Sequence, residues 1–394
     1  MTGLHISAAF EGGNIETVAL HSAADIQLRI RPDVGGQFYQ WFYYRLVGGQ
    51  GQDCRMRLLN AGGASYPQGW ENYRAVASYD RKSWFRVPTR YEGKEISKEI
   101  GKGQEQEGEG ELIIEHRPEQ NSVYYAYFAP YSWERHQDRL AWTQHSSQVA
   151  VESLGSTLDG RELDLLQIGT LTANPLRIWV TARQHPGETM AEWLLEGLID
   201  RLVDSADPVA AALLERAVFY LVPNMNPDGS VRGHLRTNAL GVNLNREWQA
   251  PSMARSPEVY QVLERMQQTG VDLFLDIHGD ETLPYNFVAG CGANPGFSDR
   301  IKTLETAFSE ALVRQSPDFQ VQYGYTPDEF GEETLTLASN QVGQRFDCLS
   351  LTLELPFKDN ALRPDARFGW SPQRSQHLGR ALLDAIQPLL DKLR

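Results

Sequence analysis

Four apolar runs in the second half of the chain constrain its fold most. They are Leu176-Arg-Ile-Trp-Val180, Ala217-Val-Phe-Tyr-Leu-Val222, Val271-Asp-Leu-Phe-Leu-Asp-Ile277 and Leu349-Ser-Leu-Thr-Leu-Glu-Leu355. Each has the length of a buried strand. Between and beyond them lie segments with helical patterning, at 188–204, 208–216, 256–268, 299–315 and 371–393. Apolar strands alternating with helices mark an α/β domain whose mixed, largely parallel sheet is covered by helices on both faces. That domain is expected over 151–394.

Residues 1–150 read differently. Short alternating or aromatic runs recur at 26–30, 37–46, 55–59 and 122–129, punctuated by Gly, Asn, Asp and Pro, with no long helical period between them. An antiparallel β-sandwich domain is expected there. The Glu-, Lys-, Gly- and Gln-rich stretch 92–119 reads as an exposed hairpin or loop.

The second-half strands deliver polar residues at their carboxyl ends, where open α/β sheets place their sites. The first leads into His185-Pro-Gly-Glu188. The third ends in Asp276-Ile-His278-Gly-Asp280, and the fourth carries Glu354. Two imidazoles and a carboxylate are a catalytic zinc ligand set with one position left for water. A carboxylate in an otherwise apolar strand is costly to bury without a task. After the second strand, Asn226-Pro-Asp-Gly229 precedes Arg232-Gly-His-Leu-Arg236 and Asn243-Leu-Asn-Arg246. An Asn–Arg pair suits a terminal carboxylate, and a separate arginine an oxyanion.

Together, His185-Pro-Gly-Glu188, Asn226-Pro-Asp-Gly229, Asn245-Arg246, Asp276-Ile-His278-Gly and Thr352-Leu-Glu354 resemble the zinc metallocarboxypeptidases. Gly241-Val-Asn-Leu-Asn-Arg-Glu-Trp248 narrows the resemblance to the cytosolic carboxypeptidases. Phe10-Glu-Gly-Gly-Asn14, Gln40-Trp-Phe-Tyr43, Trp84-Phe-Arg-Val-Pro-Thr89 and Phe128-Ala-Pro-Tyr-Ser132 extend it to that group's N-terminal β domain. The resemblance implies one zinc per chain, held by His185, Glu188 and His278. It makes Glu354 the general base and Arg236 the oxyanion partner, with Asn245 and Arg246 gripping the substrate's C-terminal carboxylate. A tyrosine that closes over the substrate is expected at Tyr325, with Tyr323 the other candidate. A glutamate-removing member would carry a basic residue near Ala338-Ser-Asn-Gln341, and Arg345 is the nearest cation.

The expected activity is therefore removal of C-terminal residues, acidic ones among them, from peptides or protein tails. A zinc amidohydrolase or deacylase acting on N-acyl amino acids is the alternative, and a non-catalytic binding protein a third reading. The formal net charge of −14 argues against a nucleic-acid partner. It also requires any site for acidic substrates to concentrate positive charge locally. No apolar run approaches the roughly 20 residues that span a bilayer. The N-terminus has no basic region followed by an apolar stretch, and Cys54, Cys291 and Cys348 are too scattered for a disulfide framework. A cytoplasmic protein is expected.

Overall fold

The strands of the first part divide between two five-stranded sheets. In a computed structural model describing residues 3–93, 110–170, 173–326 and 331–394, one sheet runs His5–Ser7, Tyr43–Val47, Ser122–Ala126, Val76–Ser78, Phe85–Arg86. The other runs Glu16–Ser22, Asp25–Arg29, Cys54–Leu58, Gly110–His116, Thr89–Gly93. Alternation along Cys54–Leu58 buries Cys54, Met56 and Leu58, as one covered face requires. Tyr44 stacks on Tyr125 and reaches Met56 of the other sheet.

Pairing is antiparallel except between Asp25–Arg29 and Cys54–Leu58, which are parallel. The run at 37–46 becomes a strand only from Tyr43. Before it, the Gln40 side-chain amide pairs with both the N–H and the carbonyl of Tyr66, taking the place of a neighbouring strand. The stretch 92–119 is framed by the antiparallel strands Thr89–Gly93 and Gly110–His116, and the part between them lies outside the described residues. A helix, Trp133–Thr143, closes this part where only strands were expected. Ser132 caps it by accepting from the Arg135 N–H.

The second part is built on seven strands in the order Val149–Ser156, Glu162–Ile168, Ala217–Val222, Leu176–Ala182, Leu273–Asp280, Leu349–Pro356, Phe287–Ala289. The four apolar runs form its parallel centre. Antiparallel strands flank them on both sides. Helices Thr189–Leu202, Asp299–Gln315 and Pro372–Ile386 share one core with the odd-numbered side chains of the last two central strands, and that core continues into the first part. Pro257–Thr269 and Ala338–Phe346 cover the other face, over Trp179, Tyr220, Trp248 and Phe274.

Side chains alternate across a strand. Asp276 and His278 therefore share a face with Ser350, Thr352 and Glu354.

The two parts are bound closely. Arg86 is buried, and its guanidinium donates to the carbonyls of Phe357, Lys358 and Trp370. Burial lowers its pKa to about 10. Asp33 accepts from the N–H groups of Leu235, Arg236 and Thr237 at 2.6, 2.9 and 2.9 Å, and from the Thr237 hydroxyl. No helix among the described residues is long and apolar enough to cross a membrane. The three cysteines are free and buried.

Candidate active site

The turn after Leu176–Ala182 is shaped by Arg183, whose φ of 62° is left-handed. Such a backbone costs about 1–3 kcal/mol in a residue with a side chain. The buried guanidinium offsets that cost by donating to the carbonyls of Pro186 and Tyr131 and to Glu192. Gly187 follows, donating to Leu235 O, and a Cβ there would lie 3.0 Å from the same oxygen. The turn thus brings His185 and Glu188 to one side.

His278 meets them from the neighbouring strand. Ligand-capable atoms of His185, Glu188 and His278 all lie within 4.8 Å of one another, and all three residues are buried. The two Nδ1 atoms are 3.2 Å apart. Glu188 places Oε1 2.6 Å from one and Oε2 2.9 Å from the other.

The outer ring nitrogens decide the tautomers. His278 Nε2 lies 2.7 Å from Asp276, an acceptor, and so carries the proton. His185 Nε2 lies 3.0 Å from Asn243 Oδ1, which also accepts from the Asn245 N–H. Two imidazole lone pairs and a carboxylate then face one another, an arrangement that fits a zinc ion held by neutral His and Glu. Burial, reinforced by Arg236, lowers His185 to about 4, which favours the neutral ring. Burial opposes the charge on His278 too, but Asp276 and Glu188 outweigh it and raise that pKa.

Glu354 is the register partner of His278. Burial raises its pKa to about 8, against the pull of His278. Its Oε2 is buried without a hydrogen-bond partner. The Tyr325 hydroxyl lies 3.2 Å from Oε1 and 2.7 Å from Asp280. Tyr323 instead stacks on Tyr285.

Arg236 lies over the rings of Phe38 and Tyr66, at 5.7 and 5.5 Å, and has no carboxylate partner among the described residues. Asn245 accepts from the Ala338 N–H, which leaves its amide nitrogen for the cavity. Arg246 donates to Asn245 O at the rim. One cavity of about 780 Å³ joins these residues with His185, Glu188, His278, Glu354 and Tyr325.

Two sequence candidates lie elsewhere. Arg232 ends the helix Pro227–Arg232, which Asn226 caps, and pairs with Asp159. Arg345 is exposed on the helix Ala338–Phe346, within reach of the Gln341 amide, and does not line the cavity. The sequence reading missed Tyr66, Asp33 and Glu281. Tyr66 and Asp33 come from the first part, and Glu281 lies just past the end of the strand that carries His278; no local pattern marks any of them.

The zinc carboxypeptidase family model matches residues 138–377, and the model of the cytosolic carboxypeptidase N-terminal domain matches residues 6–128. The chain belongs to the zinc carboxypeptidase family. It is 50% identical to a metallo-carboxypeptidase from Burkholderia cenocepacia, covering 98% of this chain and 99% of that one, with a TM-score of 0.92. A metallo-carboxypeptidase from Pseudomonas aeruginosa, solved in complex with (2-guanidinoethylmercapto)succinic acid, is 44% identical. It covers 99% of this chain and 100% of its own, with a TM-score of 0.91. Mouse cytosolic carboxypeptidase 6 is 28% identical over 87% of this chain, which spans 64% of that protein's length. The family is one of metallopeptidases, so the α/β part is an enzyme domain and the catalytic fold expected from the apolar runs is the one present.

Proposed function

We propose that this chain is a zinc-dependent carboxypeptidase that hydrolyses the last peptide bond of peptides or protein tails in the cytoplasm. His185, Glu188 and His278 would hold one zinc per chain. The observation that carries the reading is the meeting, in one cavity, of that ligand set, a buried carboxylate with an unpartnered oxygen and two arginines that have no carboxylate partner among the described residues.

Zinc bound there supplies a Lewis acid and makes water acidic enough to ionise near neutral pH. The residues do the rest. Arg246 and the Asn245 amide hold the terminal carboxylate, so that only the final bond reaches Glu354. Glu354 takes a proton from the attacking water and returns it to the departing amine. Its raised pKa suits a group that must do both near neutral pH. Arg236, steadied by Phe38 and Tyr66, faces the oxyanion that forms at the carbonyl. Tyr325 closes over the substrate, its hydroxyl within reach of Glu354.

The dicarboxylate bound to the Pseudomonas relative is a ligand such a clamp would accept. A preference for C-terminal glutamate would call for a cation facing the removed side chain. Beyond Arg236 and Arg246, the described lining offers none. The first 150 residues act as a domain that supplies Tyr66 and braces the Arg236 loop.

The test is product analysis of the zinc-loaded protein on N-acylated peptides and on N-acylated single amino acids. Release of the terminal amino acid is expected. Release of the acyl group alone would establish a deacylase, and no cleavage of either substrate class would leave a binding protein.

A further inference from the structure

Beyond the ligands and the clamp, the cavity continues along Thr352 towards the edge strand Phe287–Ala289. Ala289 is the register partner of Thr352. Thr352 lies two residues, about 7 Å, back along its strand from Glu354. Ser339 and Thr352 share a hydrogen bond between their hydroxyls on this wall. Glu305 also lines the cavity here. It stands on the helix Asp299–Gln315, which packs on the opposite face of the sheet, and reaches round the sheet edge. Its carboxylate lies against Gly290, where a Cβ would come within 2.4 Å of Oε1. It accepts the Cys291 N–H at 3.0 Å and has no ion pair among the described residues. Burial, partly relieved by that N–H, raises its pKa.

Resting on the carboxypeptidase reading, we propose that Glu305 makes this enzyme select lysine or arginine as the residue it removes. A side chain leaving the scissile residue beside Glu354 runs along Thr352, and a long cationic one ends at Glu305. The hydroxyls of Ser339 and Thr352 are acceptors for its remaining N–H groups. The surrounding charge agrees. Asp280 and Glu333 line the cavity in addition to Glu305, whereas burial favours the neutral forms of Glu281 and Glu354. The whole chain carries −14. That overall charge favours the approach of cationic tails.

The zinc-loaded full chain is assayed on N-acylated tripeptides ending in Arg, Lys, Leu or Glu. At least a tenfold advantage in kcat/KM for Arg and Lys over Leu is expected, with Glu poorest. Glu305→Gln keeps an acceptor for the Cys291 N–H and removes the charge. It should cut the Arg-to-Leu ratio at least tenfold, mainly through KM, and Glu305→Lys should favour Glu. Cleavage that favours Leu or Glu, or a ratio unchanged in Glu305→Gln, overturns the assignment and leaves the carboxypeptidase reading standing. If no peptide is cleaved, that reading fails. Calorimetric binding of free L-arginine and L-leucine then decides the pocket: tighter arginine binding lost in Glu305→Gln supports it, and equal binding overturns it.

Discussion

His278 and Glu354 are register partners on adjacent parallel strands, Leu273–Asp280 and Leu349–Pro356. Neighbouring strands lie about 4.8 Å apart. The ladder therefore sets the spacing between the proposed metal ligand and the proposed base, with no loop between them. Both side chains project to the same face because alternation and register agree.

Glu354→Gln tests the base. The amide fills the same space, so His278 and the metal ligands stay in place and zinc content by elemental analysis should match the wild type. Turnover should fall roughly 10²–10⁴-fold, the usual worth of a positioned general base. A variant keeping a tenth of wild-type activity would remove Glu354 from that role.

Metal binding should respond to the outer partner as well as to the ligands. His278→Ala is expected to lose most of its zinc. Asp276→Asn keeps every ligand but no longer offers a full carboxylate to His278 Nε2, which lies 2.7 Å away. Its zinc affinity, from competition with a chelator, should drop about 10–100-fold. Unchanged affinity in both variants would sink the ligand assignment.

What was legible in the sequence follows from range. The turn holding His185 and Glu188 and the strand ends bearing His278 and Glu354 carry local patterns, a Pro-Gly break and an apolar run. Asp33 acts on Leu235, Arg236 and Thr237 from some two hundred residues away, and no local period records such a contact. The outer strand Val149–Ser156 was missed because it is half exposed and pairs on one side only, so it shows little apolar alternation. Arg232 and Arg236 lie four residues apart, and only the resemblance singles out Arg236. A helix ends between them, turning one towards Asp159 and leaving the other against Phe38 and Tyr66.

The carboxylate clamp predicts a split by substrate. Arg246→Ala removes a charged donor, and each hydrogen bond to a charged group is worth about 1.5–3 kcal/mol. KM for peptides with free C-termini should therefore rise roughly 10–100-fold with little change in kcat. C-terminally amidated peptides, already poor substrates, should show no such rise. An equal loss on both would contradict the clamp.

We propose Asp33 as a positioning residue that acts through Arg236. In Asp33→Ala the N–H groups of Leu235, Arg236 and Thr237 lose their common acceptor. Zinc content should be retained, while a guanidinium displaced by about 1 Å costs on the order of 10²-fold in kcat. Asp33→Asn, which keeps one acceptor oxygen, should recover part of the loss. A purely structural role would lower the melting temperature with kcat per folded molecule unchanged.

The strained turn at Arg183 leans on a buried charge network, which predicts a pH-dependent stability. Glu192 accepts from Arg183 and lies 2.7 Å from His136 Nδ1, and Asp164 lies 3.1 Å from His136 Nε2. Burial opposes a charge on His136, but Asp164 and Glu192 outweigh it and raise its pKa from 6.5 to about 9. A raised folded-state pKa means that protonation favours the folded chain. The contribution is full below the unfolded value of 6.5, shrinks as pH rises and is lost above the folded value of about 9. The shift corresponds to about 3 kcal/mol. His136→Gln removes the titrating group and leaves neutral donor and acceptor atoms. Urea unfolding of both proteins at intervals between pH 6 and pH 10 isolates its effect, because other titrations cancel in the difference. The wild-type advantage should be largest near pH 6 and should decline steadily to pH 9. A difference that stays constant, or grows with pH, would show that His136 is neutral in the folded protein.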